Sequence, residues 1–255
     1  MTVKSEKENE LTPAAVRDEF MRRRGHWNDD WEAMLAFSPA YVAAYLDFSA
    51  YVADRGTLSA KFRELIYIAT NCTPTHMFER GFRNHARQAI ALGATRDEIM
   101  AVVATVSSMG YYSYTLAANA VAEALPGGVA PVAGDSHDSA RTNHEEMFGD
   151  VQPEFAASLS LDPEFHERWL DFAVAPLRGP RAVLTPKEMH LIALAVHAQC
   201  TQMNPSGVRQ HARAALAQGA TMDEVLDVTK LVSSMGIHAM VFALPLINDL
   251  FGDAA

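Results

Sequence analysis

Sliding the chain along itself by 126 positions lays Leu58-Ser59-Ala60-Lys61 on Leu184-Thr185-Pro186-Lys187, and Gly81-Phe82-Arg83-Asn84-His85-Ala86-Arg87 on Gly207-Val208-Arg209-Gln210-His211-Ala212-Arg213. From His76 to Gly110, 19 of 35 positions equal their counterparts without a gap, Ser107-Ser108-Met109-Gly110 and Ser233-Ser234-Met235-Gly236 among them. Upstream, Pro39 and Asp47-Phe48 match Pro163 and Asp171-Phe172 at a spacing of 124, so each copy includes an earlier helix. A duplicated unit binds two halves of the chain to one architecture, and it fixes where domain limits fall. Breakers and small residues from Pro126-Gly127-Gly128 to Gly134-Asp135-Ser136 mark a linker. The expected division is a first repeat at 11–125, a linker at 126–139 and a second repeat at 140–252.

Each copy reads as helices. Thr185-Pro186-Lys187-Glu188 combines an N-cap threonine, a proline at the first helical position and a capping-box glutamate. Asn204-Pro205 opens another helix that Gly219 ends, as Gly93 ends its partner in the first copy. Thr95-Arg96-Asp97-Glu98 and Thr221-Met222-Asp223-Glu224 are two further capping boxes ahead of apolar runs. No stretch alternates as a strand bounded by hairpin turns, so the fold class is all-α.

Composition bounds the function. With 21 basic and 31 acidic residues the formal charge is −10, which excludes a general nucleic-acid binder. No apolar run approaches the roughly 20 residues of a bilayer span, and the charged start lacks a signal-peptide core, so a cytoplasmic protein without membrane partners is expected. Cys72 and Cys200 stand 128 positions apart and read as single thiols.

Helical spacing places Phe78, Gly81, Phe82, His85, Ala89 and Leu92 on one stripe, so His85 projects from an apolar face and needs a partner. His211 does the same beside Gly207, Val208 and Ala215. In the ungapped register Glu64 corresponds to His190, Asn71 to His197, Pro74 to Cys200 and His76 to Gln202; a register with a two-residue gap would instead pair Cys72-Thr73 with Cys200-Thr201. The first pocket would offer Glu64, His76, Glu79 and His85, and the second His190, His197, Cys200 and His211, so the two are chemically unequal. The catalytic set read from this pattern is His85, His211, His76, Glu64, His197, Cys200 and His190, without cofactor or metal.

A helix of the form Gly-x-Arg-x-His-Ala-Arg-x-Ala that ends in Gly-Ala-Thr, followed by an acid-capped helix ending in Met-Gly, resembles the carboxymuconolactone decarboxylase family, which includes the alkyl hydroperoxidase D proteins. The resemblance covers 58 to about 124 and 184 to about 250, and implies a tandem repeat of two alkyl hydroperoxidase D-like helical domains. The peroxidase branch uses a Cys-x-x-Cys pair ahead of the histidine, one thiol to attack and one to resolve. Here those positions are Phe78 and Gly81, and Asn204 and Gly207. The resemblance therefore implies a cofactor-independent lyase, a decarboxylase or related isomerase, acting on a small carboxylated lactone or oxo acid by histidine acid/base chemistry. Competing readings are a His/Cys metal enzyme built on His76 and His85 or on His190, His197, Cys200 and His211, a single-thiol peroxidase at Cys200, and a non-catalytic small-molecule-binding protein. Single-repeat relatives resemble ring-like hexamers, so a tandem chain is expected as a homotrimer.

Overall fold

The computed structural model describes residues 11–129 and 134–252, and among these there is no strand. Part of the expected linker, 130–133, lies outside the described residues. The first repeat contributes α1 (Pro13–Arg24), α2 (Asp29–Phe37), α3 (Pro39–Ser49), α4 (Tyr51–Arg55), α5 (Ala60–Asn71), α6 (Glu79–Ala91), α7 (Arg96–Ser108) and α8 (Tyr112–Ala124). The second contributes α9 (Asp135–Phe148), α10 (Pro153–Leu161), α11 (Pro163–Val174), α12 (Pro186–Ala198), α13 (Pro205–Ala217), α14 (Met222–Ser233) and α15 (His238–Phe251). Thus α1–α3 correspond to α9–α11 at a spacing of 124, and α5–α7 to α12–α14 at 126. The fold is an all-α tandem repeat.

The helix starts are the ones the sequence signals. Thr95 and Thr185 each accept from the third residue of the helix while Glu98 and Glu188 bond back to the cap. Thr221 and Glu224 make the same reciprocal pair. Asn204 caps α13 through the Gly207 amide. Each such cap stabilises its helix by about 1 kcal/mol. In both copies the capping-box glutamate also takes a lysine from the helix two before it, Lys61 of α5 on Glu98 at 2.6 Å and Lys187 of α12 on Glu224 at 2.9 Å.

Backbone geometry settles the register between the copies. The Phe78 amide donates to the Asn71 carbonyl at 2.8 Å, and the Asn204 amide to the His197 carbonyl at 2.9 Å. Met77 and Met203 adopt the same left-handed φ, 43° and 44°. These pairs are all 126 apart, so the ungapped alignment holds, and Cys72 and Cys200 are not equivalent.

The described chain packs as two compact units, residues 11–56 with 233–252 and residues 57–232. This partition differs from the order of the repeats, because each repeat's last helix packs on the opening helices of the other: α15 against α2 in the first unit, α8 against α10 in the second. The first unit closes on Phe20, Trp31, Met34, Val42 and Leu46 with Ile237 and Leu244. Burying each such side chain contributes roughly 1.5–3 kcal/mol. In the second unit α5 packs on α12, and α5 with α6, like α12 with α13, forms the hairpin that carries a histidine.

One expectation needs correction. Met222–Phe251 forms a continuous helical stretch with a mean hydropathy of 1.6 over its best 18 residues, long and apolar enough to cross a bilayer by length and composition. It is not one uninterrupted apolar run, since Asp223, Glu224, Asp227 and Lys230 precede the apolar part. Its buried residues nevertheless pack in protein: Val228, Leu231 and Val232 in the second unit, Ile237 and Leu244 in the first. Asp227 is buried there too and accepts from the Thr57 amide at 2.8 Å.

Candidate active site

In the first repeat α5 presents Glu64, Tyr67 and Asn71 on successive turns of one face, and α6 presents Gly81 and His85 one turn apart. A side chain at 81 would overlap Asn71 and Phe78, so glycine lets the two helices close. Across that contact His85 Nδ1 lies 2.7 Å from Glu64 Oε2. A carboxylate only accepts, so Nδ1 carries the proton and Nε2 is left for other chemistry. The pair is partly open, with 18% and 20% of the two side chains exposed. Tyr67 stacks on the imidazole, ring centres 4.5 Å apart at 26°. His76 lies in the turn between the helices, its ring 5.6 Å from Phe78, and partial burial lowers its pKa.

The second repeat brings His190, His197 and His211 together in a closed setting. Each is 1% exposed or less. His190 Nε2 lies 2.9 Å from the Met147 carbonyl, which can only accept, so this nitrogen is protonated. The neutral His190 Nδ1 must then accept, and His211 Nδ1 donates to it at 3.1 Å. His211 Nε2 in turn accepts from the Tyr112 hydroxyl at 2.8 Å. One polarity runs through the whole chain of bonds and both nitrogens of His211 are occupied within the protein. His197 stacks on His211 at 5.3 Å and 13°, and its Nδ1 meets Asn204 at 3.2 Å. Its face lies against Gly207, where any side chain would overlap the ring.

Burial holds these imidazoles neutral. It pushes His190 down to about 4 and His197 to about 3, and His211, which also faces both neighbours, well below its ordinary value. Burial likewise pushes the Tyr112 phenol up. A second buried chain adjoins this one: His144 Nδ1 lies 3.0 Å from His166 Nε2, and His166 Nδ1 lies 2.8 Å from the Tyr111 hydroxyl. Trp169 stacks on Tyr111 at 4.2 Å.

Cys200 is exposed in the turn after α12, apart from the histidine chain, and Cys72 is pushed up to about 11 by burial. Both thiols are free. Among the described residues no group of three or more His, Cys, Asp or Glu converges as a metal cage. His190 and His211 spend ring nitrogens on each other, which turns those lone pairs away from a shared point. Sequence reasoning missed Tyr67, Tyr111, Tyr112, His144 and His166. The tyrosines lacked a local motif, and the two histidines occupy positions whose first-repeat counterparts, Phe20 and Val42, are plain core residues.

The carboxymuconolactone decarboxylase family model matches residues 39–124 and again 163–249. A crystal structure from Burkholderia xenovorans LB400, of a candidate gamma-carboxymuconolactone decarboxylase subunit, superposes with a TM-score of 0.84 at 29% identity, covering 94% of this chain and 97% of that one. A search of curated proteins finds no match. Two matched segments on an all-α duplicated scaffold, each with its histidine helix, show that the chain is a tandem member of the carboxymuconolactone decarboxylase family.

Proposed function

We propose that the chain is a cofactor-independent lyase that releases carbon dioxide from a small carboxylated lactone or oxo acid, and that the first repeat does the chemistry. Breaking the C–COO⁻ bond sends its electron pair into a neighbouring carbonyl or conjugated acceptor, giving an enolate and CO₂. His85, protonated on Nε2 as well as Nδ1, hands the Nε2 proton to the enolate carbon and is recharged from solvent. Glu64 holds the ring and stabilises the imidazolium, as a carboxylate bonded to the far nitrogen does in other acid/base pairs.

The observation that carries this reading is the contrast in access. The Glu64–His85 pair is joined at 2.7 Å and partly open, whereas His211 has both nitrogens engaged and is 1% exposed. Family membership supports the reaction class. Supplying a carboxylated γ-lactone and following CO₂ tests it. His85→Asn is expected to lower the rate by about 10²–10⁴-fold, the usual weight of general acid/base catalysis, while His211→Asn stays within a few fold where it folds. Equal losses in both variants, or none in His85→Asn, would remove the assignment.

We also propose a homotrimer. The reading is supported by α15, which exposes Phe242 at 73%, Leu250 at 82% and Phe251 at 79%, more apolar surface than a helix end usually leaves to water. Light scattering should give three times the 27.9 kDa of one chain.

A further inference from the structure

Tyr67 has two properties that the packing of α5 does not require. Its hydroxyl is buried, in a residue 5% exposed, and has no hydrogen-bond partner. Leaving such a group unpaired is costly, so native proteins rarely do so except where a ligand or water completes the bond. Its ring is also the one stacked on His85, which sets the hydroxyl within a small molecule's length of the imidazole. The second repeat carries Ala193 at the same position, buried in the matching helix, so the scaffold forms without the phenol.

We infer that Tyr67 is a substrate-contacting residue, whose hydroxyl donates a hydrogen bond to a carboxylate or carbonyl oxygen of the molecule that His85 protonates. This rests on the assignment of chemistry to the Glu64–His85 pair and adds to it a demand on the substrate: an acceptor oxygen next to the carbon that receives the proton. A phenol is suited to the task, because it is a strong hydrogen-bond donor and a neutral group beside a site that already holds a carboxylate. Its ring, held flat against the imidazole, fixes the donor's direction before the ligand arrives. The neighbouring unpaired oxygen, Asn71 Oδ1, lies against Gly81 where a side chain at 81 would overlap it, and it can only accept, so the hydroxyl of Tyr67 is the unpaired donor beside His85.

Tyr67→Phe removes only the hydroxyl and keeps the stack. Binding of a carboxylated γ-lactone is measured by calorimetry and its turnover by CO₂ release, for the wild type, Tyr67→Phe and His85→Asn, with thermal midpoints of the ligand-free proteins. The expected result is a dissociation constant raised about tenfold or more in Tyr67→Phe, the weight of a bond to a charged acceptor. Its ligand-free midpoint should be unchanged or higher, since an unpaired polar atom is gone. His85→Asn should still bind while losing turnover. Unchanged affinity in Tyr67→Phe, with or without a lower midpoint, overturns the inference and leaves the lyase assignment standing. Binding that depends on Tyr67 without CO₂ release by the wild type supports the inference and removes the decarboxylation. No binding by the wild type overturns both.

Discussion

The two histidine helices share sequence, caps and register, yet their imidazoles live in opposite environments. His85 faces a carboxylate at a partly open site, and His211 faces another imidazole and a phenol in a closed one. The difference comes from three paired positions. Glu64 becomes His190, Asn71 becomes His197 and Tyr67 becomes Ala193, which replaces a negative charge by a neutral ring and fills the remaining space with a second. Conservation of a histidine between copies therefore says little about conservation of its work. A proton-donating imidazole needs one nitrogen free to face the substrate and a partner that tolerates its charge; the second repeat offers His211 neither.

Exchanging the partner of each imidazole has the largest expected effect. Glu64→Gln keeps a hydrogen-bond acceptor but removes the charge that favours the imidazolium, and should lower turnover by roughly 10–100-fold, a typical weight for a group that orients another. The corresponding His190→Gln should leave turnover alone and show instead in the melting curve. Progress curves of CO₂ release for the two variants decide it, and a larger loss in His190→Gln would invert the roles of the repeats.

Acid titration probes the closed side next. His144 and His197 are held at about 3, and His166 and His190 at about 4, through burial and, for His144, also through the neighbouring His166. An unfolded chain takes protons on these rings near pH 6.5. Below that value the unfolded state binds protons that the folded state refuses, so stability is complete above about pH 6.5 and falls as the pH drops toward 4 and then 3. A ring such as His190 contributes on the order of 3 kcal/mol across that window. Replacing His144 by Phe and His166 by Val, the residues the first repeat carries at those places, should move the acid-unfolding midpoint to lower pH by circular dichroism. An unmoved midpoint would mean that these rings titrate in the folded protein.

Smaller effects sharpen the geometry. A methyl at 207 would overlap the His197 ring, which is hemmed in by Tyr112 and His211, whereas at 81 it meets Asn71 and the side chain of Phe78 at the start of α6. Gly207→Ala is expected to cost about 1–3 kcal/mol, and Gly81→Ala less, in urea unfolding. Smallest of all, Arg83→Ala breaks an exposed pair with Glu79 one turn away and should change stability by about 0.5 kcal/mol or less.

Much of the scaffold was legible from local signals. Thr95, Thr185 and Thr221 announce their helices because cap and glutamate lie three residues apart, and Gly93 and Gly219 take up φ of 85° and 87° where the helices end. The histidine pairs were half legible. The ungapped register already placed Glu64 opposite His190, but whether His85 reaches Glu64 depends on how closely two helices approach, which Gly81 decides. Tyr112 and His166 were out of reach, since they meet their partners across 99 and 55 residues. No periodicity within one segment carries that information. The compact units were equally hidden, because α8 and α15 pack on helices from the opposite repeat.

That exchange bears on how such a chain could have arisen. A polypeptide with one repeat would have its terminal helix without the opening helices it covers, and would satisfy it only by meeting a sibling molecule at sufficient concentration. Joining the two genes end to end turns that encounter into an internal one, with an effective concentration set by the connecting segment instead of by expression level. Once tethered, the halves no longer need to stay alike, and the two imidazole pockets are free to diverge.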